Sequence, residues 1–223
     1  CTAFTLSHVL KMMFILYLPI SLRVHKYEDH LFKNPFIVNK INYQLAIPDN
    51  LRYINPIIDA SINDMLENGY DFDYNIYVTA KTMFVQPGMS GNRPGWHVDG
   101  YGSNGDINYI WYNMNPTEFA IQNFVNIPDD DIESMKCMEK QIEADKIVTY
   151  PCNTLLRLDE SVVHRVNENI RPGIRTFIKI SFSKHRYNLK GNAHNYLIDY
   201  DWEMYDRYPD RRNIDNKDYV IKH

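Results

Sequence analysis

Cysteine is scarce in this chain of 223 residues: only Cys1, Cys137 and Cys152 occur, and no two stand in Cys-x-x-Cys spacing. That argues against a disulfide framework and a thiolate zinc site, and it suits a reducing compartment, so a cytoplasmic location is expected. Glycosylation sequons are also absent, because Asn115-Pro116-Thr117 carries proline in the middle position. Long apolar runs are missing too. The most apolar stretch, Val9 to Leu22, has fourteen residues interrupted by Lys11 and Pro19, whereas a spanning helix needs about 20. No small-residue cleavage site follows it at Ser21-Leu22-Arg23-Val24-His25, so a core strand or short helix is expected rather than a signal peptide or membrane anchor. Excess positive charge is lacking: 24 Lys and Arg against 28 Asp and Glu leave a net charge of -4. There is therefore no broad footprint for nucleic acid, and Lys184-His185-Arg186 and Arg211-Arg212 read as solvated surface. With 44% hydrophobic and 23% charged residues, the composition suits a globular chain. The length suits one domain over residues 1–223, with neither repeat nor linker. Cys1 in place of Met reads as the start of a trimmed or incomplete product.

Periodicity supplies the elements. Asn55 as a cap, Pro56 in the first turn and Gly69 just past the end predict a helix, with Ile58, Ile62, Met65 and Leu66 on one face. Tyr74 to Gln86 alternates as a long strand, with Ile76, Val78, Ala80, Thr82 and Phe84 on one side and Tyr77, Thr79, Lys81, Met83 and Val85 on the other. Pro87-Gly88 ends it. Strands are predicted at Asp106 to Tyr112 and Thr117 to Ile127. A helix then runs from Pro128-Asp129-Asp130 to about Ala144, with a capping box of Asp130 and Glu133 and a stripe of Ile132, Met135, Met138 and Ile142. Further strands are expected at Lys146 to Tyr150, Thr154 to Leu158, Val162 to Val166 and Ile174 to Phe182. From Lys184 the tail has no clear period and is expected to wrap the surface. Many short strands with flanking helices predict a mainly β fold, a sandwich or jelly roll.

The chemistry concentrates at Trp96-His97-Val98-Asp99-Gly100. Residues two apart on an extended chain face the same way, so the His97 imidazole and the Asp99 carboxylate can converge. A distant histidine would complete the 2-His-1-carboxylate facial set of non-haem Fe(II) oxygenases. Of the eight histidines, His164 is the best candidate, because its neighbours in Ser161-Val-Val-His-Arg-Val166 are apolar and an unpaired imidazole there is costly. By itself His164 reads as a hydrogen-bonded core residue. Eleven positions on, Arg175 opens a strand on which Arg175, Phe177, Lys179 and Ser181 share one face. Two cations on an otherwise apolar strand suit an anion, and a guanidinium suits a carboxylate; an exposed outer face is the plainer alternative.

Taken together, His97-x-Asp99, His164 and Arg175 resemble the Fe(II)- and 2-oxoglutarate-dependent dioxygenases, over roughly Tyr74 to Ser183. The resemblance implies a double-stranded β-helix core with an N-terminal flank and a C-terminal extension. It implies Fe(II) held by His97, Asp99 and His164, and 2-oxoglutarate held at its far carboxylate by Arg175. The implied reaction consumes O2, releases succinate and CO2, and hydroxylates a small molecule or a small portion of a larger one. Asp99 favours hydroxylation over halogenation, since the related halogenases lack this carboxylate. The family's Arg-x-Ser pattern is not kept, because Phe177 stands where a hydroxyl residue is common; Thr176, Ser181, Tyr77 and Tyr109 are candidates for the second contact. Lys179 could meet 2-oxoglutarate or an anionic substrate. Trp96 and Tyr101 flank the ligands as candidate pocket walls, with ordinary packing as their alternative.

Gly100-Tyr-Gly102-Ser-Asn-Gly105 fits G-x-G-x-x-G, but a β-like segment follows it where a dinucleotide fold needs a helix. It reads as a loop beside the metal. Two other functions remain in view: a cupin-like metal enzyme without 2-oxoglutarate, and a non-catalytic β-roll binding module.

Overall fold

The structure is a computed structural model, and it describes residues 4–6, 36–37, 40–41, 44–70, 74–89, 91–99, 105–199 and 202–206. The apolar run from Val9 to Leu22 and the loop residues 100–104 lie outside these. In chain order come the short strands β1 (Phe4–Leu6), β2 (Phe36–Ile37), β3 (Lys40–Ile41) and β4 (Gln44–Leu45), a 3-10 turn (Asp49–Ile54) and helix α1 (Asn55–Glu67). Strands β5 (Asn75–Val85), β6 (Ile107–Tyr112), β7 (Glu118–Ala120) and β8 (Phe124–Ile127) follow, then helix α2 (Asp131–Gln141). After a second 3-10 turn come β9 (Ile147–Thr149), β10 (Leu156–Leu158), β11 (His164–Arg165) and β12 (Gly173–Ser183).

The molecule is mainly β, with antiparallel sheets. The largest has the order β10-β6-β12-β5-β2, and its spine is β12, paired to β5 from Gly173↔Val85 to Ser183↔Asn75 and to β6 from Phe177↔Tyr112 to Phe182↔Ile107. A second sheet has the order β11-β7-β9. Strand alternation gives the large sheet two different faces. On the outer face Val78, Ala80, Tyr109, Trp111, Ile178 and Ile180 pack against Ile54, Ile57, Ile58 and Met65 of α1 and the turn before it. Burying each of those four helix-side residues stabilises the fold by roughly 2 kcal/mol. On the inner face Ile110, Tyr112, Leu156 and Leu158 share a core with Phe119 of the second sheet.

Helix α1 starts without a side-chain cap. Ile54 is its cap residue, Asn55 is already helical, and the preceding 3-10 turn feeds directly into it. The buried stripe is Ile57, Ile58, Ser61 and Met65, while Leu66 is exposed. Ser61 is tolerated there because its hydroxyl donates to Ile57 O at 2.8 Å. Gly69, at φ +73°, ends the helix as expected.

In α2 the Asp130 carboxylate accepts from the Ile132 and Glu133 backbone N–H groups. The Glu133 side chain pairs with Lys136 instead of closing a capping box, and Ile132 is exposed. The strand expected from Thr117 to Ile127 is broken into β7 and β8. Gln122, between them, donates to Gln141 O at the end of α2 and accepts from Glu143 N. Among the described residues no helix is long and apolar enough to cross a membrane.

The tail after β12 does more than wrap the surface. Asn188, Leu189, Asn195 and Ile198 are buried. Asn195 donates to Ala46 O at 2.8 Å, and Tyr187 stacks on Tyr77 with ring centroids 3.9 Å apart.

Candidate metal centre

His97 and His164 come from segments far apart in sequence that are joined backbone to backbone. His97 N donates to His164 O at 3.0 Å and His164 N donates to His97 O at 2.9 Å. This antiparallel bridge adds the 97 segment to the edge of the second sheet beside β11. Alternation then sorts the side chains. Trp96 and Val98 point into a core shared with Ala120, Phe124, Met138 and Val163, while His97 and Asp99 point the other way, toward His164. One ligand atom from each of His97, Asp99 and His164 lies within 4.8 Å of the other two. The two imidazoles are 4.7 Å apart between centroids, and His164 Nε2 is 3.7 Å from Asp99 Oδ2.

Backbone carbonyls orient both rings. His97 Nδ1 bonds to Gly95 O at 2.8 Å and His164 Nδ1 to Val162 O at 2.9 Å. A carbonyl accepts only from a protonated nitrogen, so a neutral ring held in this way turns an unprotonated Nε2 toward the cluster. Gly95 provides its carbonyl from a left-handed conformation, φ +82°, and a Cβ there would meet Met135 Cε of α2 at 2.9 Å. Arg93 ties the same loop to α2 through Asp131 at 2.8 Å. Helix α2 therefore supports the loop that carries His97 and Asp99.

Arg175 is 2% exposed on the inner face of β12. Its Nε donates to Met114 O at 3.1 Å, the rings of Phe177 and Tyr112 lie 5.1 and 5.8 Å from its guanidinium carbon, and its buried Nη2 has no hydrogen-bond partner among the described residues. With the Asn92 amide oxygen turned toward it, Arg175 Nη1 donates there at 3.2 Å. No carboxylate pairs with Arg175 among the described residues, and burial pulls its pKa down to about 10. Lys179, two pleats along on the same face, stands with Nζ 3.3 Å from Asp99 Oδ2. It meets the carboxylate of the cluster, where the sequence suggests an anionic partner from outside.

Trp96 is corrected from pocket wall to core. It is 1% exposed, packed on α2 and capped by the Arg165 guanidinium 4.6 Å above its ring. The reason is parity, since the residue beside His97 on an extended segment must face away from it. Tyr101 lies outside the described residues. Of the candidates for a second carboxylate contact, Thr176 and Tyr109 face the outer side: Thr176 bonds Thr82 at 3.0 Å, and Tyr109 donates to Asp64 of α1 at 2.6 Å. Ser181 donates to Asn108 and Tyr77 to His185 O.

Two residues escape sequence reasoning. Lys81, across from Phe177, adds a third cation to the inner face and donates to Gly91 O at 3.2 Å. Tyr187, from the aperiodic tail, donates to Asp106 at 3.0 Å, and burial pushes its hydroxyl pKa well above the ordinary value. The alternation of β5 places Lys81 on a face; only the register with β12 tells which one.

The donor set, two imidazole nitrogens and one carboxylate oxygen on one side of a point, can hold a divalent transition metal with positions left open. No family model matches the chain, and no curated protein matches it in sequence.

Proposed function

We propose that the chain is an Fe(II)- and 2-oxoglutarate-dependent dioxygenase on a double-stranded β-helix, hydroxylating a small molecule or a small portion of a larger one. The observation that carries this reading is a pairing. A His97–Asp99–His164 cluster sits beside a strand whose inner face also holds a buried arginine with no acidic partner among the described residues. A buried guanidinium without a carboxylate is costly, and a ligand carboxylate would remove that cost. Arg175 and Lys179, which reaches the cluster, lie on the order of 13 Å apart along the strand at about 3.3 Å per residue. The closure of the ligand segment onto β11, opposite the large sheet, supports the β-helix assignment.

His97 and His164 would hold the metal through Nε2 and Asp99 through a carboxylate oxygen, leaving one side open. Bound there with 2-oxoglutarate and O2, Fe(II) would supply the oxidising chemistry, with one oxygen atom ending in the hydroxylated substrate and the other in succinate as CO2 is lost. The protein's own part is orientation and exclusion. Gly95 O and Val162 O fix the imidazoles, Arg175 fixes the far carboxylate, and Tyr112 and Phe177 keep water from the guanidinium.

With Fe(II), 2-oxoglutarate and air, the wild-type chain is expected to release succinate, and His97→Ala and His164→Ala are expected to fall to background. Wild type that takes up no Fe(II) under anaerobic conditions and makes no succinate would overturn the proposal.

A further inference from the structure

Lys179 has an unusual position for a cation. Its ammonium lies 3.3 Å from Asp99 Oδ2, the same oxygen that stands 3.7 Å from His164 Nε2. Both side chains are mostly buried, 23% exposed for Lys179 and 17% for Asp99. Across the strands Lys179 faces Thr79 on β5 and Ile110 on β6, so its own sheet offers it no acid in that row. The sequence has placed a fixed positive charge against the one anionic member of a cluster suited to a divalent cation.

We infer that Lys179 opposes metal binding at this cluster: its ammonium competes with a divalent cation for the Asp99 carboxylate and so sets the metal affinity low. The inference rests on the metal-centre reading above. Two imidazoles and one carboxylate carry a single negative charge, and Lys179 cancels it. A divalent metal arriving there must share the Asp99 carboxylate with an ammonium and is repelled by it. A site built in this way carries surplus positive charge once the metal is bound. It then favours a dianionic ligand, so metal and dicarboxylate each tighten the binding of the other.

The test uses the full chain and Mn(II), with free Mn(II) read by electron paramagnetic resonance. Lys179→Met removes the charge and keeps the length of the stem; Lys179→Arg keeps the charge. Lys179→Met is expected to bind Mn(II) about ten-fold more tightly than wild type, a Coulomb effect discounted for the lysine's freedom to swing aside. Lys179→Arg should stay near wild type. Without metal, Lys179→Met should melt at a lower temperature than wild type, because a mostly buried ion pair has been broken, yet gain more from saturating Mn(II). Adding 2-oxoglutarate should tighten Mn(II) binding more in wild type than in Lys179→Met.

A purely structural lysine would weaken Mn(II) binding when removed, so equal or weaker binding by Lys179→Met overturns the inference while leaving the metal centre standing. Wild type that binds Mn(II) no better than His97→Ala overturns the metal centre and this inference together.

Discussion

Two arginines sit on the same five-stranded sheet in opposite circumstances. Arg157, on the outer face of β10, donates from Nη1 to Asp64 of α1 at 2.8 Å, and Tyr109 donates to the same carboxylate at 2.6 Å. Arg175, on the inner face of β12, is more deeply buried and has one carbonyl, one amide and two aromatic rings around it, with Nη2 unmatched among the described residues. The first is a finished network that ties a helix to a sheet. The second has no anion against it among the described residues. A buried cation whose charge is answered within the fold does structural work, and one whose charge is not answered there is a candidate for meeting a ligand, as proposed above for Arg175.

The sharpest way to break that contrast is to remove each guanidinium in turn. Arg175→Met should lower kcat/KM for 2-oxoglutarate about 100-fold, since truncating one partner of a buried charge pair costs roughly 3 kcal/mol. Metal affinity should hold, and the folded state should be as stable as wild type or more so, because an unsatisfied buried donor is gone. A cupin-like enzyme that makes no use of 2-oxoglutarate would be indifferent to the change. Loss of stability with unchanged 2-oxoglutarate kinetics would make Arg175 structural and dissolve the comparison.

Arg157→Met should do the reverse. It strands the Asp64 carboxylate under α1 and should cost about 3 kcal/mol in urea unfolding, with the KM for 2-oxoglutarate unchanged. Combining it with Asp64→Leu should recover part of that loss, because a buried pair replaced by apolar groups is far less costly than a broken one. If the double substitution is no better than the single one, the network is not what couples α1 to the sheet.

Sequence carried some of this distinction and missed the rest for a physical reason. The long strands β5 and β12 are legible because eleven-residue alternation has one good solution, and the convergence of His97 and Asp99 is legible because parity is local. Which face of β12 is inner is not local. It depends on α1 covering Ile178 and Ile180, and nothing in the strand itself says so. The Lys179–Asp99 contact is harder still, since it needs both the sheet register and the closure of residue 97 onto β11. The same limit applies to Trp96: its side follows from parity, but that α2 lies there to bury it does not. Thr117 to Ile127 reads as one strand because the break at Gln122 exists to bind the end of α2, a partner some twenty residues on.

The smallest expected effect tests how α2 acts on the site. Gly95 holds φ +82° while its carbonyl accepts from His97 Nδ1. Gly95→Ala imposes left-handed strain of about 1–2 kcal/mol, and its Cβ also displaces the Met135 methyl, which can move aside because it ends a flexible chain. Gly88→Ala is the matched control. Its φ is +80° with nothing within 4 Å of the new Cβ, so it carries the same strain without touching a ligand. Both variants should lower the unfolding midpoint by similar amounts. Only Gly95→Ala should also weaken Mn(II) binding, by a few-fold, because relaxing that strain turns the carbonyl that fixes the His97 tautomer. Equal Mn(II) affinity in the two variants would mean that the ring is held by its backbone bridge to His164 alone, and that the contact with α2 serves the fold rather than the metal.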